Sequence, residues 1–104
     1  MRVCCVALAV VCVVAGDPLC AQSAVPDPGR SVAATCANCH GTTGASAGVI
    51  PSLAGRPRQE LVATTHEFKS GSRAGTIMPQ LAKGYSDEQI ELAAAWFAAQ
   101  APGK

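Results

Sequence analysis

The sequence predicts a small all-α domain. Three observations lead there: apolar residues recur at helical spacing in three separate segments, a capping box opens the last of them, and no stretch alternates apolar and polar residues as a half-buried strand would. A length of 104 residues allows one domain and no more. No internal repeat is visible.

The chain opens on a segment read as processing signal rather than fold. Arg2 precedes an apolar run from Val3 to Gly16, and a proline-containing polar stretch with small residues follows. One early positive charge, a short apolar core and a small-residue exit describe a secretory signal peptide. The run is shorter than the roughly 20 apolar residues that cross a bilayer, so no stable membrane span is expected once it is removed. We place the leader at 1–24 and the folded domain at 25–104, in the periplasm. Two cleavage positions fit, within Ala21-Gln22-Ser23 or Val13-Val14-Ala15. Lipidation at Cys20 fits less well, because Asp17-Pro18-Leu19 lacks the small residue expected before such a cysteine. Four of the six cysteines (Cys4, Cys5, Cys12 and Cys20) fall in this leader, which leaves the domain only Cys36 and Cys39. Two residues apart, they cannot staple distant parts of a fold.

Beyond the leader, seven basic residues face six acidic ones, a net charge of +1. No basic patch points to nucleic acid. About 80 residues with few aromatics is a weak basis for a stable core, and chains this small usually need a disulfide, a metal or another staple.

Val25 to Gly29 reads as an extended, proline-rich arm. From Arg30 to Gly41 the pattern turns helical, with Val32, Cys36 and Cys39 on roughly one face. The stretch to Gly55 is rich in Gly, Ser and Pro and reads as a loop, with Val49, Ile50 and Leu53 available to turn inward. Arg56-Pro57 opens a second helix, since proline in a first turn sacrifices no helical hydrogen bond. Leu61, Val62, Thr65 and Phe68 continue it, and Gly71 is its stop. A further loop, Gly71 to Gly75, leads into Thr76 to Gly84, where Pro79 biases Met78 away from helical geometry. In the last helix Ser86 and Gln89 form the capping box, and Tyr85 can staple to Ile90. Asp87 and Glu88 favour the positive helix end, while Ile90, Ala93, Ala94 and Phe97 form its apolar stripe, with Leu92 and Trp96 beside it.

The chemistry concentrates in Cys36-Ala37-Asn38-Cys39-His40. Two thiols at this spacing reach the two vinyl groups on one edge of a haem and form thioethers. The histidine that follows is thereby placed under the iron. Behind an export signal and in a short helical chain, this reading outweighs its competitors. A structural zinc site needs four ligands, and Cys36, Cys39, His40 and His66 are all that the domain offers. A thioredoxin-like dithiol would need strands around the motif. We therefore expect one covalent haem c, bound by Cys36 and Cys39, with His40 as an axial ligand.

Met78 is the expected second axial ligand. It is the sole methionine beyond the leader, it precedes Pro79 in an expected non-helical loop, and its distance from His40 lets the chain wrap a haem edge. Its ordinary alternative is a flexible core filler. His66 is the rival ligand, although a mid-helix histidine between Thr65 and Glu67 is ordinarily a surface residue. A thioether ligand favours ferrous iron and raises the reduction potential relative to two histidines. With no vacant position on the metal, the expected role is single-electron transfer and not catalysis. A haem enzyme or ligand sensor would require Met78 to leave the iron.

These residues resemble class I cytochromes c: Thr35 to Gly41 (TCANCHG), the Met78-Pro79 pair and the capped, aromatic-bearing last helix. The resemblance implies a small all-α fold in which N- and C-terminal helices cross around one covalently bound haem, with Trp96 at the crossing. Phe68 to Gln100, with its words FKSG, TIM and AKGYS, is similar to the haem subunits of flavocytochrome c sulfide dehydrogenases and to cytochrome c4 halves. The narrower likeness implies a flavoprotein partner that oxidises sulfide and passes electrons to this chain. The alternative is a freely diffusing monohaem carrier of a respiratory or photosynthetic chain.

Overall fold

The computed structural model describes residues 25–103. The expected leader, 1–24, lies outside the described residues, as does Lys104. Among the described residues five helices follow one another without a strand: α1 Pro28–Ala33, α2 Ala37–His40, α3 Arg58–Ser70, α4 Met78–Ala82 and α5 Asp87–Ala98. The all-α expectation holds, with three differences in detail.

The first concerns the N-terminal helix. It starts inside the segment expected to be an extended arm, because Asp27 accepts from the backbone N–H groups of Gly29 and Arg30, and Pro28 fills the first turn. It is also broken in two. The Thr35 hydroxyl donates to the Val32 carbonyl oxygen at 2.8 Å, a local bond that competes with the helical ladder. The backbone resumes helical form at Ala37 for a single turn.

The second difference is Met78, which is the first residue of α4 rather than part of a non-helical loop. Pro79 lies in the opening turn of that short helix, where its missing N–H would have no helical partner in any case. The third is the long loop. Leu53 is half-buried, but Val49 and Ile50 stay exposed. The loop closes where the N–H groups of Leu53 and Ala54 both donate to the Gly44 carbonyl oxygen, which turns those two residues inward and leaves Val49 and Ile50 outside.

The two longer helices follow the sequence closely. Pro57 caps α3 and Gly71 ends it in the left-handed conformation at φ 84°. Ser86 accepts from the Gln89 N–H while the Gln89 side chain accepts from the Ser86 N–H, so both halves of the capping box on α5 are made.

Helix α1 packs across α5, and α3 packs on both α4 and α5. The α1–α5 crossing is tight. A Cβ at buried Gly29 would fall 2.7 Å from the Leu92 carbonyl oxygen and 3.3 Å from Trp96 Cβ. Trp96 therefore sits at the crossing, and its ring meets Phe97 edge to face at a centroid distance of 5.1 Å. Below it Ala33, Leu61, Ala94 and Phe97 form the core, with Cys36, Leu53 and Val62 packed against them. Four of the seven buried apolar residues (Ala33, Ala54, Ala82 and Ala94) are alanines, so the protein's own core is thin.

The crossing makes a stability prediction. Gly29→Ala drives a methyl group into the α5 backbone and is expected to lower the unfolding free energy by about 1–3 kcal/mol. Denaturant unfolding of the haem-loaded protein measures it as a lower midpoint at unchanged slope.

Candidate functional site

A cleft lined mainly by apolar side chains opens beside this core. Val32 and Cys36 border it from the α1 end, Leu61 and Thr65 from α3, Met78 and Ala82 from α4, and Tyr85, Ile90 and Phe97 from the approach to α5 and from α5 itself. Two of the expected site residues, Cys36 and Met78, thus meet across one cleft although they are far apart in sequence. The break between α1 and α2 explains why Cys36 points there and Cys39 does not. Cys36 is half-buried against the core, whereas Cys39, one helical turn further on, is exposed. Burial pushes the Cys36 thiol up from its ordinary value, and the neighbouring Cys39 adds to the rise. The adjacent Thr35 hydroxyl pulls the other way.

His40 ends α2, half-buried beside Cys36 and Cys39 and outside the lining of the cleft. Its Nδ1 lies 2.6 Å from the Pro51 carbonyl oxygen. A carbonyl only accepts, so Nδ1 carries a proton and donates, which in the neutral ring leaves the Nε2 lone pair available. The same bond fixes the orientation of the ring. Sequence reasoning missed this contact because Pro51 takes part through its backbone, and nothing in a side-chain pattern marks a carbonyl.

His66 is placed elsewhere. It faces a shallow polar hollow shared with Lys69 and Asp87, with Nδ1 3.9 Å from Asp87 Oδ1, and takes no part in the apolar cleft. Among the described residues no three His, Cys, Asp or Glu side chains gather as a metal cluster, so a four-ligand zinc site has no donors to assemble. Around the hollow, Lys69 Nζ donates to the Tyr85 carbonyl oxygen at 2.8 Å and to Asp87 Oδ1 at 2.9 Å. Tyr85 carries its own tie in the other direction, a hydroxyl–hydroxyl hydrogen bond to Thr35 at the α1–α2 break. Sequence alone read Tyr85 as a helix staple; the structure adds its place on the cleft wall.

Comparison with known proteins agrees with this construction. Residues 23–97 match the family described as cytochrome c oxidase, cbb3-type, subunit III. The chain belongs to the cytochrome c family. It is 44% identical over 69 residues to the cytochrome subunit of sulfide dehydrogenase from Chlorobaculum tepidum, a match covering 66% of this chain and 63% of that protein. It is 34% identical over 76 residues to cytochrome c-554(548) of Halomonas halodenitrificans, covering 69% of this chain and 92% of that one. The solved structure of Acidithiobacillus ferrooxidans cytochrome c4 superposes with a TM-score of 0.63 at 27% identity, over 69% of this chain and 49% of the other. The chain therefore spans less than two thirds of the sulfide dehydrogenase subunit and about half of the cytochrome c4 chain.

As a cytochrome c, the protein carries electrons on one covalently bound haem c. The chemistry of the donor set suits that group: two thiols one helical turn apart, an imidazole with a free Nε2, a thioether and a wall of aliphatic and aromatic carbon.

The Lys69 clamp yields a pH prediction. Its hydrogen bond and positive charge hold the Asp87 carboxyl below its ordinary value. A carboxyl lowered in the folded state supports stability above its unfolded pKa, and that support is lost as pH falls through the folded value. Lys69→Met is expected to raise the Asp87 pKa, read by NMR titration of its side-chain carbonyl carbon. An unshifted titration would show that the contact has no electrostatic weight in solution.

Proposed function

We propose that this chain is a periplasmic monohaem cytochrome c that accepts electrons from a flavoprotein sulfide dehydrogenase, as its haem subunit. In this reading 1–24 is the export signal and 25–104 the haem domain. Cys36 and Cys39 hold the macrocycle as thioethers, and His40 Nε2 and Met78 Sδ are the two axial donors. The single observation that carries the reading is the convergence of Cys36 and Met78 on one apolar cleft, with His40 tethered beside Cys36 by Pro51.

The haem supplies a centre that gains or loses one electron at a time. The protein's part is to hold that centre in a dry and rigid setting. Val32, Leu61, Ile90 and Phe97 exclude water, which disfavours the extra positive charge of the oxidised state. The Pro51 carbonyl oxygen keeps the His40 ring from turning. Met78 offers a soft donor that favours the reduced state. With His40 and Met78 both holding the iron, no coordination place would remain for a substrate, and the chain would transfer electrons without itself acting as an enzyme.

The identity to the Chlorobaculum tepidum subunit supports a sulfide dehydrogenase partner. The second reading is a freely diffusing carrier, and the 34% identity to cytochrome c-554(548) is compatible with it. Among the described residues no helix is long and apolar enough to cross a membrane.

Purification from the native host separates the two readings. A stable complex with a flavin-containing protein supports the subunit, and a lone haem protein supports the carrier. The ligand assignment has its own check. Oxidised protein is expected to show the near-infrared charge-transfer band of thioether–iron ligation. Met78→Ala is expected to abolish that band, lower the reduction potential and admit carbon monoxide. If the potential and carbon monoxide binding stay as in the unmodified protein, Met78 is not the ligand.

A further inference from the structure

Met78 is the first residue after an exposed seven-residue connection, residues 71–77, that joins α3 to α4. Exposed connections are ordinarily mobile, yet an axial donor at the end of one must be held in place. Two side chains at the end of α3 supply the hold. Glu67 accepts from the loop three times: Arg73 N–H and the Ser72 hydroxyl donate to its carbonyl oxygen at 3.1 and 3.3 Å, and Arg73 Nε donates to its carboxylate at 2.7 Å. Phe68 does the rest. The Arg73 guanidinium carbon lies 5.6 Å from the centre of the Phe68 ring. From Gly75, a Cβ would stand 2.9 Å from Phe68 Cε1 and 3.1 Å from Pro79 Cδ. The Phe68 ring and the proline that immediately follows Met78 thus both lie close to Gly75 on the side where a side chain would project.

We propose that Phe68 is a positioning residue for Met78: its ring, pressed on Gly75 and covered by Arg73, clamps the 71–77 connection and sets how firmly the thioether is held toward the iron. Neither Phe68 nor Gly75 lines the cleft, so both act through the Gly75–Pro79 contact and not by touching the cofactor. A side chain at Gly75 crowds both neighbours, because its Cβ pushes against the edge of the Phe68 ring and against Pro79, the residue that follows Met78. The inference rests on the ligand assignment of the preceding section.

The test is competition by free imidazole for the oxidised, haem-loaded protein, followed through the near-infrared band. Gly75→Ala is expected to weaken the band and raise imidazole affinity about tenfold, the order of effect an overpacked contact produces. Phe68→Leu, which keeps apolar bulk but loses the flat ring, is expected to raise it in the same direction. Gly48→Ala serves as the loop control, since nothing lies within 4 Å of a Cβ there, and its affinity is expected to stay at the unmodified value. Haem content and thermal unfolding followed alongside separate a loosened ligand from a damaged fold. Unchanged imidazole affinity in both Gly75→Ala and Phe68→Leu, with the band present in the unmodified protein, overturns the clamp and leaves the ligand assignment intact. An equal rise in Gly48→Ala also overturns it. Absence of the band from the unmodified protein overturns the ligand assignment, and the clamp with it.

Discussion

The close approach of α1 to α5 is the constraint from which the rest of the architecture follows. Gly29 has no side chain, so α1 rests directly on the Leu92 carbonyl oxygen and the base of Trp96. With the helix seated that low, its end delivers Ala33 into the core with Leu61, Ala94 and Phe97, and Cys36 packs against the same cluster. Cys36 then lines the same cleft as Met78. A larger residue at the crossing would lift α1 and carry Cys36 to His40 away from α3 and α4.

The composition of the core fits this arrangement. Alanines at Ala33, Ala82 and Ala94 let helices approach without filling the space between them. Large apolar side chains are instead spread along the cleft wall, at Leu61, Ile90 and Phe97. A polypeptide of this size gains little from burying alanine, about 0.8 kcal/mol per methyl-sized group. In the proposed reading, a flat aromatic macrocycle joined to Cys36 and Cys39 would supply apolar contact that the protein's own residues do not. Secondary ties brace the frame around it. Lys69 links the end of α3 to the start of α5 through the Tyr85 carbonyl oxygen, and the Tyr85 hydroxyl reaches Thr35 beside Cys36.

Much of this was legible in the sequence because it is local. The capping box at Ser86 and Gln89, the Gly71 stop and the periodicity of α3 and α5 depend on residues a few positions apart, and all of them stand in the structure. The Cys36-Ala37-Asn38-Cys39-His40 motif is local too, which is why a haem attachment could be expected from it before any fold was known. The misreadings arose where two local signals compete. Asp27-Pro28 is both a loop-like pair and a helix start, and the cap prevailed. Thr35 lies inside a helical pattern, but its hydroxyl takes the Val32 carbonyl and breaks the run. Pro79 restrains its predecessor yet also begins helices, and here it begins α4. The meeting of Cys36 with Met78, the Pro51 carbonyl at His40 and the crowding at Gly75 are contacts between distant segments. No periodicity encodes them.

The central claim is a covalent one, that both cysteines of the α1–α2 junction are bonded to a single haem. Mass spectrometry of the exported protein after denaturation and proteolysis reads it directly. The account predicts that the peptide holding Cys36, Cys39 and His40 carries the added mass of one haem, which acid–acetone extraction does not remove. That peptide recovered at its unmodified mass, with both thiols open to alkylation in a protein that is folded and colourless, would contradict it.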